Sequence, residues 1–191
     1  MLTHEDLYSL EKYARLRPEF RAKIIEHKKN RRLPLGDHAA LYFEDALTMQ
    51  YQVQEMLRLE RLFEPEAIQE ELDVYNPLIP DGRNWKATFM IEYPDEIERR
   101  QALAKLVGIE HKVWLQVQGY ARIFPIANED LDRSAPDKTA SVHFMRFELS
   151  EAMCAALKDG AALSAGIDHA ECRIELSVPG AVRQSLVGDL A

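Results

Sequence analysis

Gln50, Gln54, Arg58 and Arg61 recur at intervals of four, four and three residues, a spacing that places them on one face of a helix. Arg carries a planar fork of donors, and Gln carries both a donor and an acceptor. Such a ladder has the chemistry to hold a carboxylate, a phosphate or another polar organic ligand. Glu44 and Glu55 fall near the edges of the same face, while Met49, Val53, Met56, Leu57 and Phe63 form an apolar stripe beside it. The row reads either as ligand-facing or as a solvated, internally paired face.

Glu92, Gln116 and Arg146 form a second group. Each sits on a stretch of alternating polarity, beside Trp114 and Phe144; if those strands are neighbours, the three residues share a face. Covered by Gln50, Gln54 and Arg58, that face would make a pocket with aromatic walls and convergent polar groups, the usual form of a small-molecule site. A molecule bound between helix and sheet would touch Gln54, Arg58, Glu92 and Arg146. The alternative is an internal salt bridge from Glu92 to Arg146 or Arg58. For a reaction, Glu92 or Glu55 would serve as acid or base, and no residue identifies itself as catalytic beyond that.

Common catalytic signatures are absent. The chain has no GxGxxG, P-loop, HExxH, GxSxG or CxxC, and no cofactor is implied by a motif. His143, on an alternating strand with Met145 and Phe147, reads as a core histidine. Metal binding, the alternative, would need two or three further ligands, for which His27, His38 or His111 with nearby carboxylates are only distant candidates. No metal is therefore expected. Cys154 and Cys172 lack redox or metal spacing and read as free thiols, with a redox pair as the alternative.

Tyr42-Phe43-Glu44, the run QYQVQEMLRLE from Gln50 to Glu60, Tyr75-Asn76-Pro77-Leu78-Ile79-Pro80 and Lys86-Ala87-Thr88 together resemble the bacterial family catalogued as domain of unknown function 3501. The pattern runs from Leu2-Thr3 through Val142-His143-Phe144 and Asp168-His169 to Asp189-Leu190. The resemblance implies association by gene neighbourhood with rubrerythrin-like and iron–sulfur redox proteins, hence a redox-protein partner. It supplies no catalytic residues. No Glu is followed by His three residues later, so the chain lacks the ligand set of a di-iron bundle.

These residues need a scaffold, and 191 residues of which 47% are hydrophobic make about one domain with a real core. No apolar run is long enough for a membrane span, and the start is acidic where a secretory signal is basic, so the expectation is a cytoplasmic protein with no membrane partner. The net charge of −8 argues against nucleic acid. Charge is uneven: Arg15 to Arg32 carries about +6 and the remainder about −14. The basic segment either docks an acidic partner or pairs with the protein's own excess acid.

Taken in order, Thr3 and Asp6 read as a capping box for a first helix ending near Arg17, and Pro18 opens a second to Asn30. A short strand (39 to 43), the central helix (Asp45 to Leu62), a helix from Pro65 and a proline-fixed loop (75 to 84) follow. Alternation then predicts strands at 86 to 93, 112 to 118, 139 to 149 and 166 to 178, with a helix from Pro94 to Val107, a polar loop from Asn128 to Lys138, a short helix after Ser150 and a last helix from Pro179. The fold class is α+β: a single domain, mainly helical over 1–84 and mainly sheet over 85–191, with an antiparallel sheet of four to six strands packed against the N-terminal helices. The four long strands are expected in one sheet. A homodimer is the expected assembly. Function is read as a small-ligand-binding or accessory protein of redox or stress metabolism, taking a small anionic or polar ligand; the alternatives are an enzyme and an interaction module.

Overall fold

The structure, a computed structural model, describes residues 1–131 and 133–191. In chain order the elements are α1 (Leu10–Lys29), β1 (Arg32–Pro34), β2 (Ala39–Glu44), α2 (Ala46–Glu60), α3 (Pro65–Tyr75), β3 (Asn84–Ile91), α4 (Glu96–Lys105), β4 (Val113–Val117), β5 (Ile126–Ala127), β6 (Ser134–Ala135), β7 (Lys138–Thr139), β8 (Val142–Glu148), α5 (Glu151–Lys158), β9 (Leu163–His169), β10 (Cys172–Ser177) and α6 (Gly180–Val187). The fold is α+β. Two compact units are distinguished, Met1–Asn30 with Glu44–Pro80, and Arg31–Phe43 with Asp81–Ala191.

The first unit is three helices. Thr3 and Asp6 do cap a turn, but only the single turn His4–Asp6; the long helix starts at Leu10, with the Ser9 hydroxyl accepting from the Lys12 N–H at 3.3 Å. The two expected N-terminal helices are one. Pro18 lies inside α1, where it forfeits one backbone hydrogen bond; packing of Tyr13 and Ile24, both buried on this helix, carries it through. Asp45 caps α2 by accepting from the Thr48 N–H at 2.8 Å. The helix ends at Arg61, in the left-handed region at φ 57°. Val53, Leu57 and Leu72 form the buried centre, with Leu10, Ile68 and Tyr75 packed around it.

The second unit holds a five-stranded antiparallel sheet in the order β1-β2-β3-β8-β5 and a three-stranded one in the order β10-β9-β4. The expectation of one sheet for all four long strands is thereby corrected: β3 pairs with β8, and β4 with β9. Alternation fixes which face of a strand is buried, not which strand lies beside it. Both sheets turn their apolar faces to one core, with Trp85, Phe89 and Phe147 from the larger and Val113, Leu115 and Ile167 from the smaller. Leu106 and Ile109 after α4, Leu157 of α5, and Val182 and Leu186 of α6 complete it.

The strand expected from 166 to 178 is a hairpin, in which Cys172 pairs with His169 across Ala170 and Glu171. No glycine or proline announces the turn. It is closed by a side chain, because the Glu171 N–H donates to His169 Nδ1 at 3.2 Å and His169 Nε2 meets the Val107 carbonyl at 3.1 Å. Likewise 139 to 149 divides into β7, paired with β6, and β8. Of the expected polar loop, Asp132 lies outside the described residues.

The C-terminal helix is fastened by polar contacts at two points. Arg31, 2% exposed, donates to the Phe43 carbonyl at 2.9 Å and to the Asp189 carboxylate at 2.7 Å, and the Trp85 indole N–H donates to the Leu186 carbonyl at 2.9 Å. Between the strands of the small sheet the clearance vanishes at Gly166, where a Cβ would stand 2.2 Å from the Ile174 carbonyl oxygen and 2.4 Å from the Trp114 ring. Gly166→Ala should therefore cost roughly 3 kcal/mol in urea denaturation, since strand and indole must both shift. Gly180→Ala, where the added methyl meets nothing within 4 Å, should stay within about 0.5 kcal/mol of the parent; equal midpoints for the two variants would contradict this account.

Candidate functional site

Each of the six residues singled out from the sequence has its own partner. In the first unit Gln54 is fully buried, accepts from the Tyr8 N–H at 2.5 Å and donates to the Tyr8 carbonyl at 3.2 Å. Gln50 donates to the Asp6 carbonyl at 2.5 Å. Arg58 reaches Glu55 at 3.3 Å, and its buried Nε has no partner among the described residues. The two amides thus tie the segment before α1 to α2.

In the second unit Arg146 binds Glu129 at 2.7 Å and also contacts Glu148. Glu92 accepts from the Tyr42 hydroxyl at 2.6 Å and from Arg32 at 3.3 Å. Gln116 donates to the Tyr120 carbonyl at 2.8 Å and belongs to the other sheet. Arg146 stands opposite Lys86, and six residues at about 3.3 Å each put Glu92 about 20 Å further along the strand direction. The structure therefore does not pair Glu92 with Arg146.

Glu55 is the hub of the first unit. Its carboxylate accepts from the Tyr13 hydroxyl at 2.7 Å, from Arg17 at 2.7 and 2.9 Å, and from Arg58 at 3.3 Å. The Arg17 guanidinium is the main cause that holds its pKa down to about 2, against the opposing effect of burial, and Tyr13 and Arg58 add to the lowering. A carboxylate so saturated has little basicity left near neutral pH. Burial first, then the Glu55 carboxylate, raise the Tyr13 phenol above its ordinary range.

The second unit contains a cleft of about 650 Å³. Its wall runs from the β1–β2 turn past the end of β3 and along α4 to β10. Leu35, Ala39, Ile91, Leu106, Ile109 and Ile174 give it an apolar floor, and Asp37, Glu98, Gln101, Lys105 and Glu171 a polar rim. Glu98, Gln101, Ala102 and Lys105 follow the i, i+3, i+4, i+7 rule, so one stripe of α4 faces the opening. Gly36, at φ 72°, makes the turn at the near wall, where a Cβ would meet Ile174 at 2.7 Å.

His38 and Tyr93 are stacked with ring centroids 4.0 Å apart. His38 Nδ1 meets the Glu92 carbonyl at 3.1 Å, and the Glu92 N–H donates to the His38 carbonyl at 2.7 Å. The same pair borders a second hollow of about 410 Å³ lined also by Glu92 and Pro94. Glu92 is thus the one sequence-predicted residue of the six that lines either hollow. Half-buried Cys172 adds a thiol to the cleft, with its pKa pushed up by burial. Sequence reasoning missed the α4 stripe; its signal is Ala102 set among Glu98, Gln101 and Lys105 at helical spacing.

A buried polar chain lies elsewhere in this unit. His143 Nδ1 accepts from the Asn128 amide at 3.0 Å, and Nε2 meets the Ala140 carbonyl at 3.0 Å and the Thr139 hydroxyl at 2.9 Å. Thr139 in turn donates to Glu110 at 3.4 Å. Asn128 Oδ1 is buried without a partner among the described residues. This pattern fits a neutral imidazole. Among the described residues no group of three His, Cys, Asp or Glu is placed to hold a metal, and no helix is long and apolar enough to cross a membrane.

Comparison with known proteins places the chain. A family model described as "Protein of unknown function (DUF3501)" matches residues 1–190, and the chain belongs to that family. A crystal structure of a novel protein of unknown function from Burkholderia pseudomallei K96243 is 50% identical, with a TM-score of 0.94 over 100% of this chain and 99% of that one. No curated protein matches.

The buried imidazole has a pH signature. Burial is the main cause that lowers the His143 pKa below 6.5, with Glu110 opposing it. The unfolded chain then takes up the proton first, so the contribution to stability is complete above pH 6.5 and declines as the pH falls toward the folded-state value. The decline reaches at most about 1.4 kcal/mol per pH unit. Unfolding free energies between pH 7.5 and 5.5 should fall more steeply for the parent than for His143→Gln; parallel curves would refute the assignment.

Proposed function

We propose that this member of the DUF3501 family is a small-ligand-binding protein and that its ligand occupies the cleft between the β1–β2 turn, α4 and β10. The observation that carries the reading is a cleft of about 650 Å³ with an apolar floor and a polar rim, inside the range of about 300–1,000 Å³ typical of small-molecule sites. The polar residues of the six-residue group are already engaged by their neighbours, whereas Asp37, Glu98, Lys105 and Glu171 form no ion pair among the described residues. An apolar body set against Leu35, Ile91 and Ile174, with polar groups at the rim, suits the cleft.

The redox or stress setting is what the family resemblance implies, and an accessory role there is part of this proposal. Cys172 is the thiol the cleft would expose to a ligand. Its raised pKa keeps it protonated near neutral pH, so it serves as a soft contact and as a reporter.

The test uses differential scanning fluorimetry with a panel of polar and amphiphilic metabolites on the parent and on Ala102→Trp, which fills the cleft from α4. A true ligand at a hundred times its Kd should stabilise the parent by about 2.7 kcal/mol, leave the variant unmoved, and slow alkylation of Cys172 by iodoacetamide. If every stabilising compound acts equally on both proteins and leaves Cys172 alkylation unchanged, the cleft is not the site.

A further inference from the structure

Three acidic side chains, Asp37, Glu98 and Glu171, stand around the cleft against one basic side chain, Lys105. Elsewhere the acids of this unit are largely spoken for: Asp189 by Arg31, Glu129 by Arg146, Asp130 by Arg133, and Glu175 by Arg122. The three at the cleft have no ion-pair partner among the described residues. Each alone is an exposed, solvated carboxylate of small effect. Around one concave, partly apolar opening their fields add, and a low-dielectric wall focuses them.

A further feature turns the cleft away from anions. The amino-terminal N–H groups of α4, the usual attraction for an anion, are already taken, because Asp95 accepts from Ile97 and Glu98 at 2.9 Å each. The wall also carries the His38–Tyr93 stack, an aromatic surface that suits the apolar body of a ligand. The Tyr93 phenol is held above its ordinary pKa, by burial first and then by Cys172 and Glu98.

We infer that the ligand of this cleft is an organic cation with an apolar body, its charged group among Asp37, Glu98 and Glu171 and its hydrocarbon on the floor formed by Leu35, Ile91 and Ile174. This rests on the cleft being the binding site and names the ligand class for it. It differs from the small anionic or polar ligand expected from the sequence: in the helical row Arg58 contacts Glu55, and in the strand group Arg146 is paired with Glu129.

Three probes with one tail separate charge from burial: n-octylammonium, 1-octanol and octanoate, each below its aggregation limit. The readouts are calorimetric Kd and protection of Cys172 from iodoacetamide. The parent should bind octylammonium at least tenfold tighter than octanol, with octanoate weakest. In Glu98→Gln/Glu171→Gln the ratio of the amine's Kd to the alcohol's should move to within about twofold of unity, and raised salt should narrow it in the parent. Ala102→Trp should weaken all three. Octanoate binding as tightly as octylammonium, or a ratio unmoved by the double variant, overturns the cation assignment while leaving the cleft a binding site. If none of the three binds the parent, or if Ala102→Trp binds all three unchanged, the cleft reading falls and the ligand class with it.

Discussion

A guanidinium just before β1 organises the second unit. Arg31 joins the backbone of Phe43, the Ser185 hydroxyl and the Asp189 carboxylate, so one buried group links the first hairpin of the large sheet to the last helix. Removing one member would strand a buried charge, which typically costs about 3–5 kcal/mol. Burial also explains the bidentate geometry: only Arg can present two parallel donors to Asp189 while a third reaches the carbonyl. With that corner fixed, the β1–β2 turn is held in place as the near wall of the cleft.

The opposite wall is looser by composition. No residue of α4 is buried, although Ala102 and Leu103 touch the core. The helix owes its form to the Asp95 cap and to exposed pairs such as Arg100 with Glu96 at 3.1 Å, which are worth only a few tenths of a kcal/mol. A helix that buries so little can stand off the core and leave a hollow beneath it. The cleft follows from α4 having too few large apolar side chains to fill the space between Ile91 and Ile174.

What was legible in the chain follows the same physics. Period 3.6 located α2 and period 2 located β3, β4 and β8, while Pro65 with the acidic residues around it marked the start of α3. Pro18 misled because an interior proline is tolerated when Tyr13 and Ile24 are buried around it. The β9–β10 turn was hidden because His169 does with a side chain what glycine does with its backbone. Sheet membership and the identity of the cleft residues were illegible for one reason: both depend on which elements meet, and alternation carries no label for the neighbour. The Gln and Arg row was visible, but its partners, Tyr8, Asp6 and Glu55, lie outside its own periodic pattern.

Saturation separates the polar groups that hold this protein together from those left for another molecule. Glu55 receives donors from three side chains, and His143 uses both ring nitrogens. Such groups are costly to disturb and have no hydrogen-bonding capacity to spare. The cleft has the opposite character: its carboxylates lack ion-pair partners among the described residues, and its apolar floor lies under a helix with no fully buried residue. An unpaired carboxylate is cheap only while water reaches it, so a ligand that displaces that water must bring a positive charge or leave the carboxylates uncovered. The same requirement that gave Arg31 its Asp189 and Glu55 its Arg17 thus sets what the cleft can accept.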